Sequence, residues 1–264
     1  KPSLHVCRLL LGLGACFIVC ACGLSEEDLS RMRRSGQQAF AAGQYEQALE
    51  HWQRLLENSP LDDDAHLKIG RAHLRLGELS RAVEHFTRAV EIRPENGWGW
   101  HELARVHLLR GKADLSLEYS AKAGQYLPEE PQVAVLEGQI HFFLQDFAAA
   151  EQRYREVLDR APEQAQALVQ LALCLAAQDR SAAAAEVFAV LQALEPGDPM
   201  ILLAMADYWM LRGRPEQAVS VLTRGLEQHP GTLLFAQRLA EWYFHNGQYS
   251  AAQQQARGIL GQRP

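Results

Sequence analysis

The chain is 264 residues long, 48% hydrophobic but only 8% aromatic, and carries a formal net charge of -6. That balance excludes a uniformly basic surface for nucleic acid, and abundant alanine beside few aromatic residues suits close-packed helices rather than sheets. Four of the five cysteines lie in the first 22 residues, which leaves Cys174 alone beyond them and implies no disulfide framework.

The chain begins with Lys1 and Arg8 at the edge of an apolar run, Leu9 to Leu24. This is the layout of a secretory signal, and it is short for a bilayer-spanning helix, which needs about 20 apolar residues. The run ends in Val19-Cys20-Ala21-Cys22. These four residues resemble the lipobox of bacterial lipoproteins, with Cys20 departing from the commonest residue at its place. The resemblance implies a signal peptide over 1–22, lipidation of Cys22, and a membrane anchor facing the periplasm. Gly23 stands where an aspartate would favour retention in the inner membrane, so the outer membrane is the expected address. The other reading of the leader is an uncleaved signal anchor.

Ser25-Glu26-Glu27-Asp28 has the form of a helix start, a capping hydroxyl followed by acids in the first turn. From there the chain is periodic. Prolines stand at 60, 94, 128, 162, 196, 230 and 264, each 34 residues after the last. A fixed period of this size marks stacked helical repeats. Gly36, Gly70, Ala104, Gly138, Ala172, Ala206 and Ala240 place a small residue mid-way along the first helix of every unit. Ala48, Ala82, Ser116, Ala150, Ala184, Ala218 and Ala252 do so in the second helix. Small side chains at both places let two helices approach closely. Trp52, Phe86, Tyr154, Phe188 and Leu222 follow four residues later and fill the space. Gly43, Gly77, Gly111, Gly213 and Gly247 mark the turn between helices, with Gln145 and Asp179 in their place in two units.

This pattern resembles the tetratricopeptide repeat over residues 29 to 264. Units are expected at about 29–62, 63–96, 97–130, 131–164, 165–198, 199–232 and 233–264, within an array spanning 23–264. The resemblance implies an all-α fold, a right-handed superhelical solenoid of about seven helix-turn-helix repeats. First helices would line a concave face and second helices the outside. It assigns to a protein- or peptide-binding groove Arg71, Leu74 and Arg75, then Trp98, His101, Arg105, Leu108 and Leu109, then Val135, Gln139, Phe142 and Phe143. Val169, Leu173, Leu203, Asp207, Met210, Gln237, Glu241 and Phe244 follow, so the groove reads basic, then apolar, then acidic. Trp98 is expected in this groove beside the arginines, and Trp100 in the packing of its unit. The Lys/Asn set that grips a C-terminal carboxylate in some family members is absent: Arg33, Gln37, Lys68, Trp98 and Glu102 stand there.

Two departures stand out. The third unit has Ser116 and Ser120 where alanine and an aromatic recur, which predicts a soft seam unless Leu117 or Tyr119 compensates. The array closes at Pro264 without the polar capping helix usual in such folds.

Signals for chemistry are weaker. His73, His107 and His141 recur every 34 residues, but packed helices lie about 8–10 Å apart, too far for equivalent positions to share a zinc ion at about 2.0–2.1 Å. His101-Glu102 lacks the second histidine of a His-Glu-x-x-His motif, since the next is His107. Gly97-Trp98-Gly99 lacks the last glycine and the preceding strand of a dinucleotide loop. Cys174 lies among Leu171, Leu173 and Leu175, as a buried thiol would. No catalytic set, metal site, cofactor or small-molecule substrate is expected. The expected function is a non-enzymatic scaffold of the bacterial envelope that assists a secretion, pilus or polysaccharide-export machine. The alternative is the front portion of a larger exported protein whose function lies beyond Pro264.

Overall fold

The computed structural model describes residues 25–194 and 197–261; the leader, with Cys22, lies outside them. The described residues form fourteen α-helices and no strand. Their contacts define two compact units, one ending at Leu61 and the other starting at Asp62.

The first unit is one helix pair, α1 (Glu26–Ala41) and α2 (Tyr45–Asn58). Ser25 caps α1 as its sequence implies, its hydroxyl accepting from the Asp28 N–H at 3.1 Å. Trp52 is buried against Gly36, where a Cβ would collide with the indole.

The second unit runs α3 (Asp63–Arg75), α4 (Leu79–Ile92), α5 (Gly97–Leu109), α6 (Ala113–Tyr126), α7 (Pro131–Phe143) and α8 (Phe147–Arg160). It continues with α9 (Ala165–Ala177), α10 (Ser181–Leu194), α11 (Pro199–Leu211), α12 (Pro215–Gln228), α13 (Leu233–His245) and α14 (Tyr249–Gly261). Side-chain caps start several of these helices. Asp62 accepts from Ala65 N at 2.9 Å, Asn96 from Gly99 N at 3.0 Å, and Asp198 from Met200 N at 2.8 Å. Each such cap contributes about 1 kcal/mol. The turn inside each pair needs a left-handed residue, because the last carbonyls of the first helix are satisfied by N–H groups folding back over it. Gly77 shows this at φ 79°, with Glu78 N donating to the His73 carbonyl at 2.9 Å. Gln145 (φ 62°) and Asp179 (φ 59°) adopt the same conformation with a side chain attached.

Within this unit each second helix packs on its own first helix and on the next one. First helices also pack on each other in the series α3, α5, α7, α9, α11. Second helices make no comparable contact with one another among the described residues. The first helices therefore sit on the tighter side, and the row they form is the inward-curving face. The cores are strung between pairs: Phe86, Ala89, Leu103 and Val106 in one cluster, Tyr154, Leu171, Leu175 and Phe188 in another, Leu202, Leu222, Phe235 and Leu239 in a third.

The third pair departs from the others in a coordinated way. In the second pair the Phe86 ring would lie 2.5 Å from a Cβ on Gly70. In the third, Ala104 replaces that glycine and Ser120 replaces the phenylalanine. Ser116 and Ser120 are fully buried, and the Ser116 hydroxyl donates to the Ala104 carbonyl at 2.7 Å. Tyr119 and Leu117 pack on the neighbouring apolar cluster, the compensation the sequence suggested. Ala121 and Gly124 line an open cavity of about 460 Å³ with Glu137, Arg153 and Arg160, and a Cβ on Gly124 would meet nothing within 3.5 Å.

Candidate protein-binding face

The first helices carry a stripe that repeats every 34 residues: Arg71, Arg105, Gln139, Leu173, Asp207, Glu241. Beside it runs Leu74, Leu108, Phe142, Ala176, Met210, Phe244, and beside that Arg75, Leu109, Phe143, Ala177, Leu211, His245. Leu109, Phe143, Leu211 and Phe244 are each more than half exposed, at 63%, 54%, 54% and 60%. Three of them share one repeat position, interrupted by Ala177 on α9, and Phe244 stands in the row beside it; exposed apolar residues grouped on one face mark a candidate interaction surface.

The early end is less basic than the sequence implies. Glu102 is buried on α5, with Arg71 donating to one carboxylate oxygen at 2.7 Å and Arg105 paired with the other at 2.6 Å. Of the three arginines assigned there, only Arg75 stands outside this clamp. Trp98 does lie beside Arg71, whose guanidinium is 5.8 Å from the indole centroid. It is half-buried, with its other edge on the apolar cluster of Phe86 and Leu103. Trp100 is half-buried too. Its Nε1 donates to the Pro94 carbonyl at 2.8 Å, and Tyr119 and Lys122 cover its ring. Trp100 packs on the same cluster as Trp98, so the two share that contact and neither is purely surface or purely core. His101 is buried beneath Trp98, 5.5 Å between rings, and burial lowers its pKa to about 4. A neutral, buried ring in that place supports Trp98 from beneath.

In the middle, Leu108, Gln139 and Phe142 are half-buried, with Phe142 edge-on to Phe147 at 5.3 Å. Val135 and Leu203 are buried outright and leave the groove, whereas Val169 and Leu173 are half-buried and, like Phe142, pack partly on the core cluster. Val135 and Leu203 share one repeat position with Leu67 and His101, which are buried too, so this position faces inward in successive pairs. At the late end Met210 is half-buried and Asp207 faces Arg238 at 3.6 Å. Burial raises the Asp207 carboxyl above its ordinary range. Glu241 is exposed and accepts from Gln237 at 3.0 Å.

The recurrent histidines close first helices. His73 pairs with Glu78 at 2.6 Å and His141 lies 3.7 Å from Asp146, each an acid at the start of the following helix. His107 is buried, with Nδ1 unpartnered and its pKa lowered by burial. Among the described residues no group of three His, Cys, Asp or Glu is arranged to hold a metal ion. Cys174 is buried, its thiol donates to the Phe147 carbonyl at 3.2 Å, and burial raises its pKa. Sequence reading missed Glu102 and Glu151 as organising residues. Glu151, also buried, takes Arg155 at 2.6 Å, Arg180 at 2.7 Å and Gln178 at 2.9 Å. The signal for Glu151 is an acid where most repeats have an apolar residue; for Glu102, whose place is polar in most repeats, it is only an arginine three residues on and another 31 residues back.

Stacked helix pairs with an open first-helix face define a helical-repeat scaffold. The tetratricopeptide repeat pattern matches residues 34–97 and 135–199, and a second pattern of the same repeat matches 199–224. Together these span more than half of the chain, which belongs to the tetratricopeptide repeat family. No curated protein matches the chain in sequence. Solved structures do match in fold. A tetratricopeptide repeat protein from Parabacteroides merdae is 16% identical with a TM-score of 0.70, over 89% of this chain and 93% of that one. PilW, a type IV pilus biogenesis factor, is 18% identical with a TM-score of 0.65, over 78% of this chain and 96% of that one. PilF of Pseudomonas aeruginosa is 18% identical with a TM-score of 0.62, over 82% and 98%. No helix of the described residues is long and apolar enough to cross a membrane.

Proposed function

We propose that the protein is a non-enzymatic scaffold that binds a protein or peptide segment on its first-helix face. The observation that carries this is the set of exposed large apolar residues Leu109, Phe143, Leu211 and Phe244 near the C-terminal ends of four of the first helices, α5, α7, α11 and α13. Large apolar residues at the centre of an interface supply most of its binding energy, with charged neighbours fixing register. Neither nucleic acid nor a small-molecule substrate fits this reading. Replacing Phe143 and Phe244 together by serine should weaken partner capture from envelope extract about tenfold or more. Melting should hardly change, since both side chains are more than half exposed. Normal capture by that double variant would refute the reading.

We further propose that the chain is a bacterial lipoprotein anchored through Cys22, facing the periplasm from the outer membrane, and assisting assembly of an envelope machine. The lipobox-like Val19-Cys20-Ala21-Cys22 supports the anchor, and the fold likeness to a pilus biogenesis factor supports the setting. Several acyl chains hold a protein stably where one does not. Mass spectrometry should find acylated Cys22 at the mature N-terminus, and Cys22→Ala should release the protein from washed membranes. An intact leader in the mature protein would refute the anchor. The alternative role, as the front portion of a larger exported protein, predicts a longer polypeptide on immunoblots of the native organism.

A further inference from the structure

Each first helix of the second unit from α3 to α11 packs on the next, but α11 and α13 lack that extended contact, and a cavity of about 250 Å³ opens between them. Its wall is Ala206, Asp207 and Met210 from α11, Leu222 from α12, and Arg238, Glu241, Trp242 and His245 from α13. The volume is below the roughly 300–1,000 Å³ of clefts that enclose drug-sized ligands, and it suits a single long side chain. Met210, Leu222 and Trp242 offer an apolar lining, and two carboxylates stand against one guanidinium at the rim.

We propose that this cavity seats a basic side chain, lysine or arginine, of an extended peptide laid along the first-helix face; the proposal rests on the reading of that face as a protein-binding surface. A lysine or arginine has the two-part character of the site, a methylene stem for the apolar wall and a charged head for the acids. The acids have capacity to spare. Asp207 has only Arg238 near it, at 3.6 Å, longer than a hydrogen bond, and its desolvated carboxyl is held above the usual range. Glu241 has no basic partner among the described residues, only Gln237. His245 Nδ1 is held by the Glu241 backbone carbonyl at 2.7 Å, so it is the donor there, and the Nε2 of a neutral ring remains an acceptor. An incoming cation shares Asp207 with Arg238 or displaces it. The opposite end of the face differs: Glu102 already holds Arg71 and Arg105 at 2.7 and 2.6 Å. The asymmetry gives a bound peptide a direction, with its basic residue at α11 and α13.

The test selects octapeptides from a random phage-displayed library on the full chain. Wild type should enrich apolar residues together with a lysine or arginine at one position. Changing that residue to norleucine in a selected peptide should weaken binding about tenfold, as the loss of a charge-assisted hydrogen bond does. Selection on Asp207→Asn/Glu241→Gln should keep the apolar preference and lose the basic one. Glu241→Arg, a change at an exposed residue of the cavity wall, should turn the preference toward acidic peptides even if the double variant folds poorly. Apolar enrichment without a basic residue, or a basic preference that survives both variants, overturns this subsite and leaves the protein-binding face standing. No enrichment at all on the wild-type chain overturns both.

Discussion

The second and third helix pairs, α3–α4 and α5–α6, solve the same packing problem with different residues. In the second, Gly70 makes room for Phe86; in the third, Ala104 meets Ser120, and Ser116 ties the helices by a hydrogen bond to the Ala104 carbonyl. The same pairs also carry matched ring triads. His66 and His85 stack at 5.3 Å where Trp100 and Tyr119 stack at 5.6 Å, and His73 meets His85 at 5.5 Å where His107 meets Tyr119 at 5.4 Å. The geometry is fixed by the repeat, and the chemistry is free to vary. What a pair must keep is a filled contact, whichever residues fill it, since interiors are packed to crystal-like density and a misfit is felt at once.

The strongest consequence concerns size. Phe86→Ser alone should cost about 3–5 kcal/mol, by lost burial and the cavity left behind. Gly70→Ala alone should cost about 1–3 kcal/mol, because its Cβ would meet the Phe86 ring. Combined, the two rebuild the third pair's arrangement, and Gly70→Ala should become neutral or favourable, since alanine exceeds glycine by about 1 kcal/mol within a helix. Urea denaturation of the four proteins closes this cycle, and strict additivity would show that the residues do not share a packing site. Hydrogen exchange should place the damage in α3 and α4, as expected where each repeat couples to its neighbours.

The next effect is at the strap between these pairs. Glu102→Gln should lower stability by about 1–3 kcal/mol, because a buried acceptor for two guanidinium groups is weakened. It should also free Arg71 and Arg105 and so strengthen binding of acidic peptides at the early end. Calorimetry with an acidic octapeptide before and after the change reads this directly.

The imidazole triad makes the second pair sensitive to acid. Burial, with His66 and His73 adding to it, lowers His85 from an ordinary 6.5 to about 4. The unfolded chain therefore binds a proton at higher pH than the folded chain does. The stability that the neutral ring allows is intact above about pH 6.5 and is lost progressively as pH falls toward 4. Burial lowers His101 to about 4 as well, so it acts in the same window. Melting temperature should fall from pH 6.5 to 4.5, and His85→Tyr, the residue of the third pair at that place, should flatten part of the fall. An unchanged slope would remove His85 from the account.

The smallest effect lies at the turns. The second and third pairs use Gly77 and Gly111 at φ 79° and 70°, whereas the fourth holds Gln145 at φ 62°. Gln145→Gly should stabilise by about 1 kcal/mol, read as a higher urea midpoint, since a left-handed conformation costs a side-chain-bearing residue about that much. Asp179 is a poorer test, because its carboxylate pairs with Arg212 at 2.9 Å.

Much of the fold was legible because its determinants recur. The 34-residue spacing of proline, the small residues at Gly70 and Ala82, and the turn residue Gly77 each express a local steric need that every pair repeats. The face was legible only in part. Position within a repeat told that Arg71, Phe143 and Phe244 lie on first helices. Sequence reading missed that Val135 and Leu203 turn into the core and that Glu102 takes up two arginines. Val135 and Leu203 share one repeat position with the buried Leu67 and His101, so that signal was periodic and went unread; the Glu102 clamp depends on Arg71 coming opposite, which varies from pair to pair. Trp98 and Trp100 show the same limit: two residues apart on one helix, both pack on the cluster of Phe86 and Leu103, and they differ in their remaining contacts, Arg71 and His101 for one, Tyr119 and Lys122 for the other.

The most direct test of the binding face is site-specific photocrosslinking in cells. A benzophenone side chain at Phe143 or Phe244, on first helices, should capture a partner, whereas one at Tyr126, an exposed position on the second helix α6, should not. Crosslinks from Tyr126 without any from Phe143 and Phe244 would contradict the account.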